Sequence, residues 1–152
     1  MSAQPSSKVS QLWSEDLVTG IGFTPIPAII LERQEALGLD PVDLNIILQI
    51  AFHWRERERL PYPSKGTLAR RIGISARTVQ RRIAALENHG FIERRPRTLR
   101  NGGNDSNEYS LSGLIDKARP FAIEKRELIK KHDAEHEARR SRKRARPKGS
   151  QS

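Results

Sequence analysis

A chain of 152 residues with a formal net charge of +10, a pI near 10.6 and an apolar fraction of only 36% builds one domain of about 100 residues with flexible ends, a small core and a basic surface. That balance suits nucleic acid or an anionic membrane surface, and the membrane is disfavoured: no apolar run approaches the roughly 20 residues that span a bilayer. MSAQPSSKVS has no apolar signal segment, and the absence of cysteine excludes disulfides and thiolate metal sites, so the expected location is cytoplasmic.

Residues 1–20 are rich in Ser and Gln with little periodicity and read as a largely disordered arm, in which Leu12, Trp13, Leu17 and Val18 suit a short docking turn. Phe23 to Leu37 holds two prolines, Pro25 and Pro27, followed by a run of helix formers, which predicts a strand-like lead and one short helix. Asp40, Pro41 and Asp43 together mark the start of a longer helix: a capping side chain, a residue with preset φ and an acid in the first turn. Leu44, Ile47, Leu48, Ala51 and Trp54 give that helix its core face, and Arg55 to Arg59 (RERER) reads as a solvated end. Trp54 continues the apolar stripe and is read as a packing anchor rather than a base-stacking platform.

From Ser64 onward the pattern tightens. Ser64 is a good cap, and Leu68, Ala69 and Ile72 form one apolar stripe. Gly73 falls just past the last periodic residue, where a left-handed backbone suits glycine. Ile74 can fill the angle before Ser75 caps a second helix, in which Val79, Ile83 and Leu86 recur at spacings of four and three and Gly90 marks the end. At about 100° per residue, those inward positions turn Arg77, Thr78, Gln80 and Arg81 outward. The run is a helix-turn-helix, and between Ser64 and Arg100 it carries ten Lys or Arg against two acids.

The second helix therefore reads as a recognition helix for double-stranded DNA. Arg can bind guanine O6 and N7 with two hydrogen bonds and Gln can pair with adenine, so Arg77, Gln80 and Arg81 are expected at base edges. Ser75, Thr78 and Arg82 are expected at phosphates, beside the exposed N–H groups of the helix start, and Lys65 joins the same basic surface. A solvated basic helix in an ordinary hairpin is the plain alternative; charge runs rarely coincide with this turn.

Phe91 to Arg95 then reads as a strand, Arg97 to Asn107 (RTLRNGGNDSN) as a Gly/Asn-rich loop, and Glu108 to Leu111 as a returning edge strand. A hairpin after a helix-turn-helix makes a wing. Arg94, Arg95 and Arg97 lead to its tip and Arg100 lies near it, so the wing is expected to touch the DNA backbone or the adjacent minor groove. The bland alternative is a hairpin that only covers the core. The expected fold is mainly α (α+β): a winged helix-turn-helix at residues 21–112 with a C-terminal helical extension at 113–138.

Ser112 to Ala118 is expected to start that extension against the wing, Pro120 to interrupt it, and Phe121 to Arg142 to resume it, with Ile123, Leu128 and Ile129 its last sizeable apolar residues. Residues 139–152 read as a disordered basic tail; Arg139 to Lys148 holds seven basic residues in ten positions and adds non-specific phosphate attraction.

His132-Asp133-Ala134-Glu135-His136 fits H-x-x-E-H, the ligand pattern of one zinc metalloprotease class. Catalytic zinc needs a third protein ligand and a water-excluding pocket, and so polar a helix builds neither. His53 and His89 lie on or beside helices and read as ordinary. The sequence has no phosphate-binding G-x-x-x-x-G-K-[ST] loop, no G-x-S-x-G elbow and no dinucleotide fingerprint, and the expectation is no catalysis, no cofactor and no metal.

The segments Gly22-Phe23-Thr24-Pro25-Ile26-Pro27, Tyr62-Pro63-Ser64, Leu68-Ala69, Gly73 to Arg81 (GISARTVQR) and Leu86 to Ile92 (LENHGFI) resemble the winged helix-turn-helix family, in particular the branch found in bacterial, plasmid and phage replication-type and regulatory proteins. The resemblance covers about residues 20 to 115. It implies DNA binding, a nucleoid-associated location and a link with mobile genetic elements, and it is shared by transcription regulators and replication initiators. Three functions are weighed. A sequence-specific transcriptional regulator predicts a homodimer on an inverted repeat, because one module buries too little to be selective in a genome. A plasmid or phage replication initiator or accessory protein predicts direct repeats and a protein partner held by the C-terminal helix. An architectural or RNA-binding protein predicts little sequence preference. The first is preferred, partly because no second domain is present to perform replication chemistry.

Overall fold

A computed structural model describes residues 7–97, 106–147 and 149. The element that organises them is the helix α5 (Pro41–His53). Its start is a reciprocal capping box: the Asp43 N–H donates to the Asp40 carboxylate at 2.8 Å and the Asp40 N–H donates to the Asp43 carboxylate at 3.2 Å, with Pro41 in the first turn. Ahead of it come α1 (Ser7–Trp13), α2 (Glu15–Val18), α3 (Ala28–Glu32) and α4 (Gln34–Leu37).

The next two helices follow the spacing of their apolar residues. In α6 (Lys65–Ile72) the Ser64 hydroxyl accepts from the Thr67 N–H at 3.0 Å, and Gly73 ends the helix at φ 80°. In α7 (Ala76–Asn88) the Ser75 hydroxyl accepts from the Thr78 N–H at 3.1 Å, and Val79, Ile83 and Leu86 are buried. They pack with Ile46, Ile47 and Ile50 of α5 and Leu68 and Ala69 of α6 in one core. Leu44, Ala51 and Trp54 pack against its edge, half-buried. Ile46 and Ile50 were not among the expected core positions; α5 touches both α6 and α7, so a wider arc of it is buried than one stripe predicts.

Phe91 and Ile92 are buried in this core, and the hairpin begins only after them. Its strands β1 (Glu93–Arg95) and β2 (Glu108–Ser110) pair antiparallel, with Arg94 opposite Tyr109. Tyr109, 1% exposed, fastens the hairpin to the helices, and its N–H donates to the Pro61 carbonyl at 2.9 Å. A winged helix-turn-helix results, with the hairpin beside the end of α7.

The long helix α8 (Ser112–Ala145) starts against the turn that follows α7 rather than against the hairpin strands: Leu114 and Ala118 are buried, and the Leu114 N–H donates to the Phe91 carbonyl at 3.0 Å. Gly113 makes this approach possible, because a Cβ placed there would lie 1.9 Å from the Gly90 carbonyl oxygen. Farther along, Lys125 pairs with Glu32 of α3, and the Arg33 guanidinium sits 5.5 Å from the centre of the Phe121 ring.

Several local expectations differ from the structure. Residues 7–18, expected within a disordered arm, form α1 and α2, with Val18 buried. The stretch before Ala28 forms no strand, and two short helices stand where one was expected, meeting at Arg33. Pro120 does not interrupt α8: the helix runs unbroken through it, and the residue is exposed, as is Asp116, whose carbonyl lacks the helical N–H that proline cannot supply. The helix also continues to Ala145, into the basic run expected to be disordered, because Arg, Lys and Ala are good helix formers.

Gly113→Ala should destabilise the protein by about 1–3 kcal/mol or more, as an overpacked contact does. Gly73→Ala, which meets no neighbour within 4 Å and only forces a residue with a Cβ into φ 80°, should cost about 1–2 kcal/mol. Urea unfolding of both variants checks the order.

Candidate nucleic-acid interface

The site is built on the outer face of α7. With Val79 and Ile83 fully buried, the helix can present only its opposite side, where Arg77, Gln80 and Arg81 are exposed. None of the three makes a hydrogen bond or ion pair among the described residues. At the helix start, the Ser75 and Thr78 hydroxyls lie 2.9 Å apart. One donates to the other, which leaves one hydroxyl proton for an acceptor outside the protein. Ser64 and Thr67 repeat this arrangement at the start of α6, also at 2.9 Å, with half-buried Lys65 beside them.

The other cations serve different ends. Arg82 pairs with Asp40, and its guanidinium lies 3.7 Å from Asp43, so it ties the middle of α7 to the cap of α5. Burial pushes the Asp40 carboxyl up, but the Asp43 N–H and the Arg82 guanidinium outweigh it and hold the group below its ordinary 3.8. Asp43 behaves oppositely, and burial raises it. Arg94 is likewise committed, donating from Nε and Nη2 to the two Glu87 carboxylate oxygens at 2.9 Å each, which locks the hairpin to the end of α7. Arg95 bridges to Glu93 at 3.1 Å in an exposed pair. The Arg97 guanidinium lies 3.8 Å from the centre of the exposed Tyr62 ring and 4.0 Å from Glu108.

The structure thus brings Lys65, Ser75, Arg77, Thr78, Gln80 and Arg81 to the surface of the helix-turn-helix, and Arg95 and Arg97 to the wing. Arg82 and Arg94 stand at the same surface but turn their charge towards acids. Arg100, expected near the wing tip, lies outside the described residues, as does Lys148. The sequence reading passed over the acids that hold these arginines. Asp40 and Asp43 were legible as a cap, but the pairing of Asp40 with Arg82 spans 42 positions and has no local signature. It also passed over Tyr62 and Phe52, exposed rings that carry Arg97 and, at 4.7 Å, Arg71.

Residues 37–92 match the family model described as a helix-turn-helix domain. No curated protein matches the chain. Among solved structures it is similar to the N-terminal domain of the DnaD protein from Geobacillus kaustophilus HTA426, with a TM-score of 0.54 and 20% identity over 82% of this chain and 96% of that one. A possible transcriptional regulator from Methanosarcina mazei Go1 has a TM-score of 0.43 at 20% identity, covering 71% and 85% of the two chains. For the transcriptional regulator PA3341 the values are 0.41, 20%, 80% and 76%. The chain is a winged helix-turn-helix protein, mainly α with a small sheet, and its helix-turn-helix domain supports DNA binding. No helix among the described residues is long and apolar enough to cross a membrane.

The Glu87–Arg94 pair has a pH signature. Hydrogen bonds from Arg94 hold the Glu87 carboxyl below its ordinary 4.5. A carboxyl lowered in the folded state stabilises the fold above its unfolded value and loses that contribution as pH falls through the folded one. Glu87→Gln should be less stable than the parent near neutral pH, and the gap should close as pH falls below about 4. Urea midpoints of both proteins across that range check it.

Proposed function

We propose that this protein is a sequence-specific transcriptional regulator that lays α7 in the major groove of double-stranded DNA and rests the wing on the flanking backbone. The observation that carries this reading is the outer face of α7: three exposed side chains able to read base edges, unpaired among the described residues, on a helix whose opposite face is wholly buried. Arg77, Gln80 and Arg81 contact bases. Ser75, Thr78 and Lys65 hold phosphates beside the two helix starts, and Arg95, Arg97 and Arg100 do so from the wing. Arg82 and Arg94 orient α7 and the hairpin through their acids. The regulator acts as a homodimer on an inverted repeat, in the cytoplasm with the nucleoid, and performs no catalysis. The basic run from Arg139 adds attraction without sequence preference.

A second reading is replication, as an initiator or accessory protein at a plasmid or phage origin. It draws on one observation: beyond Lys125, α8 is exposed on all its described faces, with Leu128 and Ile129 about half exposed, an arm long enough to hold a second protein. Retention of fragmented genomic DNA on the purified chain at physiological salt, followed by sequencing, separates the two. Inverted repeats near promoters support the regulator, clustered direct repeats at one locus support replication, and no enrichment overturns sequence-specific recognition.

Arg77→Ala and Arg81→Ala should each reduce discrimination between the preferred site and a changed one by about 1–3 kcal/mol, with a smaller effect on unrelated DNA. Deleting the segment from Arg139 to Lys148 should instead weaken binding to all sequences and flatten the dependence of log K on log salt. Titrations at several salt concentrations measure both.

A further inference from the structure

The DNA-binding surface leaves one cluster of chemistry unused. His132 and His136 lie one turn apart on α8, both exposed, with ring centroids 5.5 Å apart and planes tilted by 47°. A metal held by an imidazole nitrogen at 2.0–2.1 Å lies about 3 Å from the centre of that ring, so rings with centroids 5.5 Å apart are close enough to share one ion. Asp133, whose carboxylate is 3.9 Å from His132 Nδ1, and Glu135 flank the pair and add negative charge. The other histidines offer no such site: His53 and His89 are isolated, and each places Nδ1 within hydrogen-bond distance of a carbonyl of its own helix, at 2.8 and 2.7 Å.

We propose that His132 and His136 chelate a late first-row divalent ion, of the Cu(II), Ni(II) or Zn(II) class, and so clamp the exposed half of α8. No group of three ligating side chains occurs among the described residues, so the protein supplies two nitrogens and water completes the shell. A site of this kind cannot serve as the metalloprotease centre that the H-x-x-E-H spacing suggests. The consequence is conformational. From Arg126 to Ala145 every described residue of α8 is exposed, and a helix without tertiary support is marginal in water. An ion that needs both imidazoles on one face binds the helical form in preference to the frayed one, and mass action then stabilises the helix. The segment so ordered leads directly into Arg139 to Arg146. Metal occupancy would therefore set how rigidly the basic run is presented.

The test uses the full chain without a histidine tag. CuCl2, NiCl2, ZnCl2 and MgCl2 are titrated in turn by calorimetry, and amide hydrogen exchange is followed over residues 126–145. The expected result is one ion per chain, Cu(II) tighter than Ni(II), no binding of Mg(II), and slower exchange over that segment on binding. His132→Ala and His136→Ala should each weaken binding at least as much as the roughly 10–100-fold cost of losing an outer-shell partner, and His89→Ala should not. Unchanged affinity in either α8 variant, binding without slower exchange, or one ion per two chains with dimer formation would each overturn the clamp. Because α8 is exposed at both positions, loss of folding is not expected, and the unchanged urea midpoint of the metal-free variants verifies it.

Discussion

The burial of one stripe of α7 governs the whole surface. Val79 and Ile83 are completely enclosed and Leu86 nearly so, and exposing any of them would forfeit about 1.5–3 kcal/mol per side chain. The rotation of α7 about its axis is thereby set, and with it the outward direction of Arg77, Gln80 and Arg81. Exposed polar side chains that do not themselves stabilise the fold are aimed by apolar ones that do.

Charge pairing refines what burial begins. Half-buried Arg82 joins α7 to the cap of α5, and Arg94 joins the hairpin to the end of α7. Ion pairs that solvent still reaches contribute little to stability, so these matter more for register than for energy: they hold α7, α5 and the hairpin in one orientation. They also divide the basic residues into two populations. Arg82 and Arg94 are neutralised within the protein, while Arg77 and Arg81 make no ion pair among the described residues.

A close backbone approach lies where α8 meets the turn after α7. Gly90 supplies the positive φ that ends α7, and Gly113 lets the first turn of α8 settle on the Gly90 carbonyl. Leu114 and Ala118 then cover the core beside the wing. Past Lys125 the helix has no such support, and the two halves of α8 are physically different objects: one is part of the domain, the other a charged rod.

Helix starts and stops were legible in the sequence because they depend on residues within a turn or two: Asp40 with Asp43, Ser64 with Thr67, Ser75 with Thr78, and the glycines at 73 and 90. The inward face of α7 was legible for the same reason, since a 3.6-residue period needs no knowledge of what packs against it. The short helices of residues 7–18, the unbroken passage of α8 through Pro120, the broad burial of α5 and the commitment of Arg82 and Arg94 to acids were not. The burial of α5 and the Arg82 pair depend on groups distant in sequence, the Arg94 pair depends on how the chain turns after α7, and α1 and α2 pack chiefly on each other. Local hydrogen bonding and periodicity determined where the elements lie and which way α7 faces; only the tertiary structure decided that Arg82 and Arg94 pair with acids while Arg77 and Arg81 stay exposed, because Asp40 and Glu87 lie on other elements or across a turn, where local pattern does not show them.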